Sequence, residues 1–413
     1  MVLELNVNKF KILNDPIYGF ITIPNRLIFD LIEHPYFQRL RRISQMGLSS
    51  LVYPGAHHSR FHHAIGCVYL MQKAVRILRF KGIEITDEEE NALYIAILLH
   101  DIGHGAFSHA LENSIVSEIN HEAISLKFME ALNLEFNFQL DLAIAVFKGN
   151  HPKKFLYQLI SSQLDMDRLD YLKRDSFYSG VAEGNINSER LIAMLNVHEN
   201  ELVIEEKGIY SVEKFIVGRR LMYWQVYLHK TGLAAELLLV NILKRAKELA
   251  LKGVELYANS NLKYFLYQSI DASNFDEETL VIFAQLDDYD VLSAIKEWTK
   301  HEDKIISTLS KMLINRKLPK IILQKQKFGK VEINKVKKMI LDKYDVTKKE
   351  ISYFVFEGSV SNQAYNLKDN SIKILSKKGK TVDLAIASDQ LNLLALSKPV
   401  IKYYICFPKQ LNL

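Results

Sequence analysis

The chain has 413 residues, 53 Lys and Arg against 48 Asp and Glu, a formal net charge of +5, and 48% apolar residues. That length allows two or three domains, or one large core with an appendage, the composition is that of a globular protein, and the charge shows no overall nucleic-acid signature. The 2 cysteines, Cys67 and Cys406, stand far apart and offer no disulfide framework, which points to a reducing interior. The N-terminus lacks the basic and long apolar regions of a secretory leader, and no run approaches the ~20 apolar residues of a membrane span. The expectation is a cytoplasmic protein with no membrane partner.

Residues 1–25 read as extended. Phe10-Lys11-Ile12-Leu13 leads to the turn signal Asn14-Asp15-Pro16, and residues 19–24 read as a second short strand. Leu27, Ile28, Leu31, Ile32, Phe37, Leu40 and Ile43 recur at helical spacing, and Pro35 divides them into two helices. Tyr53-Pro54-Gly55 is a turn, and Ser59-Arg60-Phe61-His62-His63 leads into a helix over 64–80 that Gly82 closes. Thr86 and Glu89 form a capping box for the next helix, which runs into Leu98-Leu99-His100-Asp101-Ile102-Gly103-His104-Gly105-Ala106-Phe107-Ser108-His109. Helices continue to about residue 250 and again over 275–315, without internal repeats. From 311 to 349 the chain is lysine-rich, with Lys335, Lys337 and Lys338 among many. β-type segments follow at 351–356, 372–375, 381–386 and 400–407, with Gly358 and Gly379 in loops between them. The expected fold is mainly α: a helical body over 1–250 opened by an N-terminal hairpin, and a smaller C-terminal lobe, helical and then α+β, over 251–413.

The segment 98–109 packs three histidines and a carboxylate into ten residues. His100 offers a borderline nitrogen and Asp101 a hard oxygen to one cation. If the helix continues, His104 shares a face with His100. Gly103 and Gly105 each cost a helix up to about 1 kcal/mol, so either the helix ends here or something approaches the backbone closely. A plain helix end with surface histidines is the competing reading, and the density of histidines weighs against it. His63 supplies a second nitrogen. A fourth ligand is sought in Gln163-Leu164-Asp165-Met166-Asp167-Arg168-Leu169-Asp170-Tyr171, where Asp167 and Asp170 share a helix face and Asp167 competes with a solvated-face reading. Two histidines with two carboxylates suit Fe, Mn or Zn and admit Mg, and open positions would take water and a phosphate oxygen.

His121 is a candidate acid or base with Glu112 as its orienter, against the alternative that His121 caps a helix start. Arg60, Arg168, Arg219 and Lys230 suit an anion. Tyr171, Tyr223 and Tyr227 suit ring stacking or a core. No phosphate-cradling glycine loop and no nucleophile elbow is present, so phosphate chemistry here would rest on a metal and arginines.

Taken together, His63, His100-Asp101 and Asp167 resemble the metal quartet of the HD-domain phosphohydrolases. Asn14-Asp15-Pro16-Ile17-Tyr18-Gly19, Pro35-Tyr36-Phe37-Gln38-Arg39-Leu40-Arg41, Tyr53-Pro54-Gly55-Ala56, Arg60-Phe61-His62-His63, His100–His109 and Asp167-Arg168-Leu169-Asp170-Tyr171 recur in order. That series is similar to the deoxynucleoside triphosphate triphosphohydrolases, above all the sterile-alpha-motif and HD-domain enzymes and their bacterial relatives, over 10–235 and as a strand pattern beyond.

The resemblance implies water attack on a dNTP with release of a deoxynucleoside and intact triphosphate. It implies one divalent transition metal on His63, His100, Asp101 and Asp167. His104, His109 and His121 would line the phosphates, with His121 and Glu112 as the acid–base pair. Arg60, Arg168 and Arg219 would hold the phosphates. Gln45, Met46, Tyr171, Asp175 and Tyr227 would sit at the sugar, Tyr171 walling off C2′, and Tyr223 stands where the family has His. Glu112 replaces an Asp and Met46 a Leu. The resemblance further implies a homo-oligomer, dimer or tetramer, with a nucleotide effector as its Mg complex at Lys11, Asn14, Glu33, Gln38, Arg41, Arg190 and Lys230, where Glu33 replaces the Asp that reads guanine. The competing readings are another HD-type chemistry, a nucleotidase or phosphodiesterase, and nucleic-acid binding by the 311–349 lysines, which the near-neutral charge makes secondary.

Overall fold

The computed structural model describes residues 11–112, 114–116, 118–344, 346–367, 371–389 and 396–409, the side chains of His109 and Glu112 excepted. It is mainly helical. The first expected strand begins at Phe10, which lies outside the described residues; β1 (Ile12–Asp15) and β2 (Gly19–Thr22) pair antiparallel with Asp15 opposite Gly19. β1 runs into the expected turn because Asp15 itself makes it. Its Oδ1 accepts from the N–H of Ile17 at 2.9 Å and of Tyr18 at 3.0 Å, an Asx turn.

α1 (Arg26–Glu33) starts on the side-chain cap of Asn25 and buries Ile28, Leu31 and Ile32. Pro35 opens α2 (Pro35–Gln38), a single turn that tightens into a 3-10 turn over Arg39–Arg42 rather than a second full helix. α3 (Arg60–Phe80) begins at Arg60, not at 64, because Ser59 and His62 cap it: the Ser59 N–H donates to His62 Nδ1 at 3.2 Å. His63 therefore sits in its first turn. α4 (Asp87–Leu99) opens on the expected box, Thr86 N–H donating to Glu89 Oε2 at 2.9 Å and Glu89 N–H to Thr86 Oγ at 3.2 Å. It stops at Leu99, so a loop and not a further helical turn carries His104. α5 (His109–Glu112), α6 (His121–Glu135), α7 (Asp141–Phe147), α8 (Lys154–Ile160), α9 (Met166–Ser179) and α10 (Ser188–Ala193) follow.

The helical run expected to reach residue 250 is interrupted by a hairpin, β3 (Leu195–His198) and β4 (Glu201–Glu205). Glu199 and Asn200 take φ of 50° and 64°, as a two-residue hairpin turn requires. α11 (Ile209–Met222) passes through a π turn at Tyr223–Tyr227 into α12 (Lys230–Leu251), and α13 (Ser260–Tyr267) follows. Side-chain caps at Asp276, Asp287 and Asp303 divide the next stretch into α14 (Glu277–Phe283), α15 (Asp288–Trp298) and α16 (Lys304–Ile314). β5 (Lys320–Gln324) and α17 (Lys330–Lys343) occupy the lysine-rich stretch.

The strand expected at 351–356 is a 3-10 turn over Glu350–Tyr353, and β6 (Phe356–Asn362) starts at the residue expected to end it. Gly358 is inside β6 opposite Tyr404, not in a loop, and a Cβ there would lie 2.5 Å from the Tyr404 hydroxyl. β7 (Lys373–Leu375) agrees with expectation, while β8 (Thr381–Asp383) stops early because Asp383 caps α18 (Leu384–Ala387). β9 (Val400–Phe407) spans the expected residues.

β5, β9 and β6 form one antiparallel sheet. β3, β4, β7 and β8 form another, in which β4 and β7 pair parallel with Val203 opposite Lys373. Buried apolar residues form a contiguous cluster from Ile21 to Phe407. Among the described residues no single helix is long and apolar enough to cross a membrane; the stretch 206–251 passes such a test only as a pair bent by 57°.

Candidate functional site

α9 carries Asp167, Asp170, Tyr171, Arg174 and Asp175 at i, i+3, i+4, i+7 and i+8, one face of the helix. That face is apolar in most core helices. Here it is polar and turned inward: Asp170 and Arg174 are 0% exposed and Asp175 2%. It meets the first turn of α3 and the end of α4. His63 Nε2 lies 3.1 Å from Asp167 Oδ1 and 3.7 Å from Asp101 Oδ2. His100 Nε2 lies 3.6 Å from Asp167 Oδ1 and 3.5 Å from Asp101 Oδ1. The four side chains singled out in the sequence thus converge, with spacings close to the ~3 Å between neighbouring ligands of an ion bound at about 2.1 Å.

His100 Nδ1 lies 2.6 Å from the carbonyl of Ile97, to which it donates, and its Nε2 is buried without a hydrogen-bond partner among the described residues. An orphaned buried nitrogen facing two carboxylates fits a cation. Cys67, one turn below His63, adds a sulfur that no motif spacing singles out. Ligand atoms of His63, Cys67, His100 and Asp167 all lie within 4.8 Å of one another, so this cluster could hold a metal ion. Burial works against the Asp101 charge, yet His100, Arg60 and His104 hold its carboxyl well below the usual range. Burial likewise opposes the Asp167 charge, and His100 and His63 more than offset it. A divalent cation would meet ionised carboxylates.

Gly103 explains how the next histidines meet. A Cβ there would lie 2.2 Å from the carbonyl oxygen of His121 and 2.3 Å from the nitrogen of Ser125. The missing side chain lets the start of α6 lie against the loop. Ser125 Oγ accepts from the Gly103 N–H at 2.9 Å and donates to the His100 carbonyl at 2.8 Å. The His104 and His121 rings stack with centroids 3.9 Å apart and planes inclined by 16°. His104 Nε2 lies 3.4 Å from Asp101 Oδ1. Burial, with Arg60 nearby, brings the His104 imidazole down to about 3, so it is neutral. The side chains of His109 and Glu112 lie outside the described residues.

The guanidinium of Arg60 bonds Asp101 Oδ2, and its Nε and Nη2 donate to Ser108 Oγ at 3.2 and 2.8 Å. Phe107 and Ser108 take φ of 50° and 53°. Asp288, from the distant α15, holds this bend by accepting from the N–H of Phe107 at 2.7 Å and of Ser44 at 2.8 Å. Nothing in the sequence points to Asp288; Arg39, which stands in the recurring stretch 35–41 without an assigned role, donates to the Ile102 and His104 carbonyls of the same loop. Arg168 Nε donates to the Ser162 carbonyl at 2.6 Å and to Asp165 at 3.2 Å. Arg219 donates to the carbonyls of Gln163, at 3.2 Å, and Ala364. Lys230 is exposed at the start of α12.

Gln45, Met46, Arg60, Tyr171, Asp175, Tyr223 and Tyr227 line one cavity of ≈450 Å³, within the range of small-ligand sites. Asp175 accepts from the Tyr227 hydroxyl at 2.8 Å and lies 2.7 Å from His58 Nε2. The Tyr171 ring stands edge-on to Tyr227 at 6.0 Å, and Tyr227 edge-on to Tyr223 at 5.1 Å. Among the described residues Tyr171 Oη and Gln45 Oε1 are buried without hydrogen-bond partners.

The residues compared with an effector site are dispersed in their bonding. Gln38 donates to the Ile32 carbonyl at 2.7 Å, and Arg41 donates to Gln38 at 2.8 Å while lying 3.5 Å from the centre of the Phe61 ring. The Lys11 ammonium lies 3.4 Å from the centre of Phe29. Asn14 pairs with Phe20 across the hairpin, and Glu33 is exposed. Arg190 donates to Ser211 Oγ and to the Lys207 carbonyl, each at 3.1 Å.

Comparison with known proteins places this geometry. The family model of the HD domain matches residues 60–175, and that of the HD associated region matches residues 186–262. The uncharacterized protein YwfO of Bacillus subtilis is 36% identical over 322 residues, covering 76% of this chain and 72% of that protein. A Dictyostelium discoideum protein described as a deoxynucleoside triphosphate triphosphohydrolase SAMHD1 homolog is 32% identical over 257 residues, 58% of this chain. The chain spans 50% of the length of that relative. The crystal structure of a phosphohydrolase from Bacteroides thetaiotaomicron superposes with a TM-score of 0.93 at 52% identity, covering 97% of this chain and 100% of that one.

Proposed function

Because the chain belongs to the HD-domain phosphohydrolase family, we propose that it hydrolyses deoxynucleoside triphosphates to deoxynucleoside and inorganic triphosphate. One observation carries the reading. Arg60 belongs to both halves of the site, bonded to Asp101 of the cation cluster and lining the cavity that ends in Tyr171 and Tyr227. A triphosphate would lie along Arg60, with its sugar against the tyrosines. The Dictyostelium relative's description points the same way.

His63, His100, Asp101 and Asp167 would hold the cation, Fe, Mn or Zn with Mg as the alternative. When bound it supplies Lewis-acid charge at a phosphoryl oxygen. The remaining work falls to side chains. Arg60, Arg168 and Arg219 meet phosphate oxygens. In the reaction the bond between the α phosphorus and the 5′ oxygen breaks, and the water oxygen joins the phosphorus. In this reading His121, with Glu112 as its orienter, gives a proton to the departing 5′ oxygen and is recharged by the proton that the attacking water loses on joining the phosphorus, while His104 and His109 line the chain of phosphates. Gln45 Oε1 and Tyr171 Oη, buried and unpartnered, face the sugar hydroxyl. Tyr171, Met46 and Asp175 leave no room for a ribose 2′ hydroxyl. Tyr223 takes part in the wall through Tyr227. The same reading places catalysis on residues 1–250, with the lobe over 251–413 docked on it, and includes a homo-oligomer activated by a nucleotide at Lys11, Asn14, Glu33, Gln38, Arg41, Arg190 and Lys230.

The test is incubation with each dNTP, singly and in pairs, with inorganic triphosphate measured by anion-exchange chromatography. The expected product is triphosphate, lost in His100→Ala and Asp101→Ala. Pyrophosphate or monophosphate as the sole inorganic product would overturn the reading in favour of a nucleotidase or phosphodiesterase. Activity confined to mixtures would identify an effector.

A further inference from the structure

His63 presents Nε2 to the cation cluster and its other nitrogen to a buried chain of charges. Nδ1 lies 2.8 Å from Asp170 Oδ2. Arg174 grips the same carboxylate twice, Nε donating to Oδ2 at 2.8 Å and Nη2 to Oδ1 at 3.0 Å. Its remaining nitrogen, Nη1, donates to Asp15 Oδ2 at 2.7 Å. The other oxygen of Asp15 takes the N–H groups of Ile17 and Tyr18 at the tip of the N-terminal hairpin. None of these four side chains is more than 4% exposed. The chain crosses α3 at Gly66, where a Cβ would lie 2.1 Å from Asp170 Oδ1 and 2.2 Å from Arg174 Nη2.

Within α9, Asp170 and Arg174 would suffice as an i, i+4 pair. Asp15 changes what that pair does. An imidazole that donates Nδ1–H to a carboxylate keeps its proton there and turns the Nε2 lone pair outward, and the carboxylate raises its basicity as a ligand. Arg174 alone would neutralise Asp170 and weaken that effect. With Asp15 sharing the guanidinium, the row reads minus, plus, minus, and a net negative charge is left facing His63.

We propose that Asp15 is a positioning residue of the cation site: the N-terminal hairpin sets the orientation and ligand strength of His63 through Arg174 and Asp170. This rests on the reading that the HD cluster binds a divalent cation. Nothing in the effector assignment is needed for it, since Lys11 and Asn14 take no part in the row.

The test uses the full chain and measures Zn²⁺ and Mn²⁺ affinity by competition with a chromogenic chelator, alongside thermal unfolding of the metal-free protein. Asp15→Asn keeps the shape and the acceptor for Ile17 and Tyr18 but removes the charge. The expected result is affinity roughly 10-fold weaker, the lower end of what outer partners of metal-binding histidines contribute, with little change in the metal-free midpoint. Asp30→Asn, whose carboxylate pairs with Arg26 on the surface, should leave affinity unchanged. Where Asp15→Asn does not fold, Arg174→Lys, which keeps the charge and loses the fork, carries the same expectation. Affinity within twofold of wild type in these variants overturns the inference alone, as does a lowered metal-free midpoint with unchanged affinity. A wild-type protein that binds neither cation overturns the reading of the cluster and the inference with it.

Discussion

Arg39 donates Nη1–H to the carbonyl oxygen of His104 at 2.9 Å from a position with 0% solvent exposure. Its Nη2 donates to the Ile102 carbonyl at 2.6 Å, and its guanidinium lies 5.4 and 5.2 Å from the ring centres of Phe128 and Phe283. The fork thus brackets Gly103 and fixes the loop on which His104 rides. Arg39→Met would leave both carbonyls buried without donors, a loss of roughly 2–5 kcal/mol to be read from urea unfolding. Arg39→Lys keeps the charge but cannot span both carbonyls. Under the proposed function, displacement of this loop is expected to lower kcat by roughly 10- to 100-fold in steady-state assays.

Gly103→Ala sets a methyl group against main-chain atoms of α6, which cannot swing aside as a side chain can. The start of α6 must retreat and the His104–His121 stack must open. A destabilisation of about 3 kcal/mol is expected, at the upper end for overpacking, with turnover lost in whatever protein folds. Gly232→Ala is the contrasting variant. Gly232 lies in the first turn of α12 with nothing among the described residues within 4 Å of the place a Cβ would occupy, and alanine there gains up to about 1 kcal/mol of helix propensity. Equal thermal midpoints for the two variants would contradict this account.

Tyr171 separates two effects. Tyr171→Phe removes a buried hydroxyl that has no partner among the described residues, so unliganded stability should hold or rise by about 1 kcal/mol. Tyr171→Ala removes the wall proposed to exclude a 2′ hydroxyl. Its expected signature is a rise in the ratio of ribonucleotide to deoxyribonucleotide hydrolysis, with overall turnover reduced. Side-by-side assays of ATP and dATP read it; an unchanged ratio would remove Tyr171 from discrimination.

Lys247 supplies a pH dependence away from the site. Its ammonium is half-buried and donates to the carbonyls of Phe265 and Gln268 at the end of α13, and burial brings it down to about 8 from 10.5. The folded value lies below the unfolded one. Between pH 8 and 10.5 the unfolded chain holds a proton that the folded chain sheds, so this group's contribution to stability rises with pH across that window. Below it the full penalty is present. Unfolding free energies of wild type and Lys247→Met, compared at pH 7 and pH 10, should show wild type gaining on the variant at the higher pH.

The inward polar stripe of α9 is legible in the sequence because Asp167, Asp170 and Tyr171 carry their chemistry at helical spacing, and His100-Asp101 because the two are adjacent. Gly103 announces either a close approach or a helix end, and both hold, since α4 stops at Leu99. Asp15 and Arg174 stand 159 positions apart, and no local pattern links them. Asp288 reads as a helix-start acid like any other, and its grip on Phe107 and Ser44 exists only in the tertiary fold. The β3–β4 hairpin escapes a sequence reading because its turn is Glu199-Asn200 and not the Asn-Gly or Asp-Gly that announces such turns. Gly358 reads as a loop residue because a glycine inside a strand signals a bulge or a close neighbour only once the partner strand is known.

β4 is bordered by β3 on one side and by β7 on the other, through a parallel pairing of Val203–Glu205 with Lys373–Leu375. A polypeptide cut back to the two matched regions, ending at residue 262, would strip that second neighbour away. The bared row of peptide groups would then template association with another molecule. The last third of the chain therefore covers an edge that the matched regions would otherwise expose, and fragments made for biochemical work should aggregate unless β7 and β8 are retained.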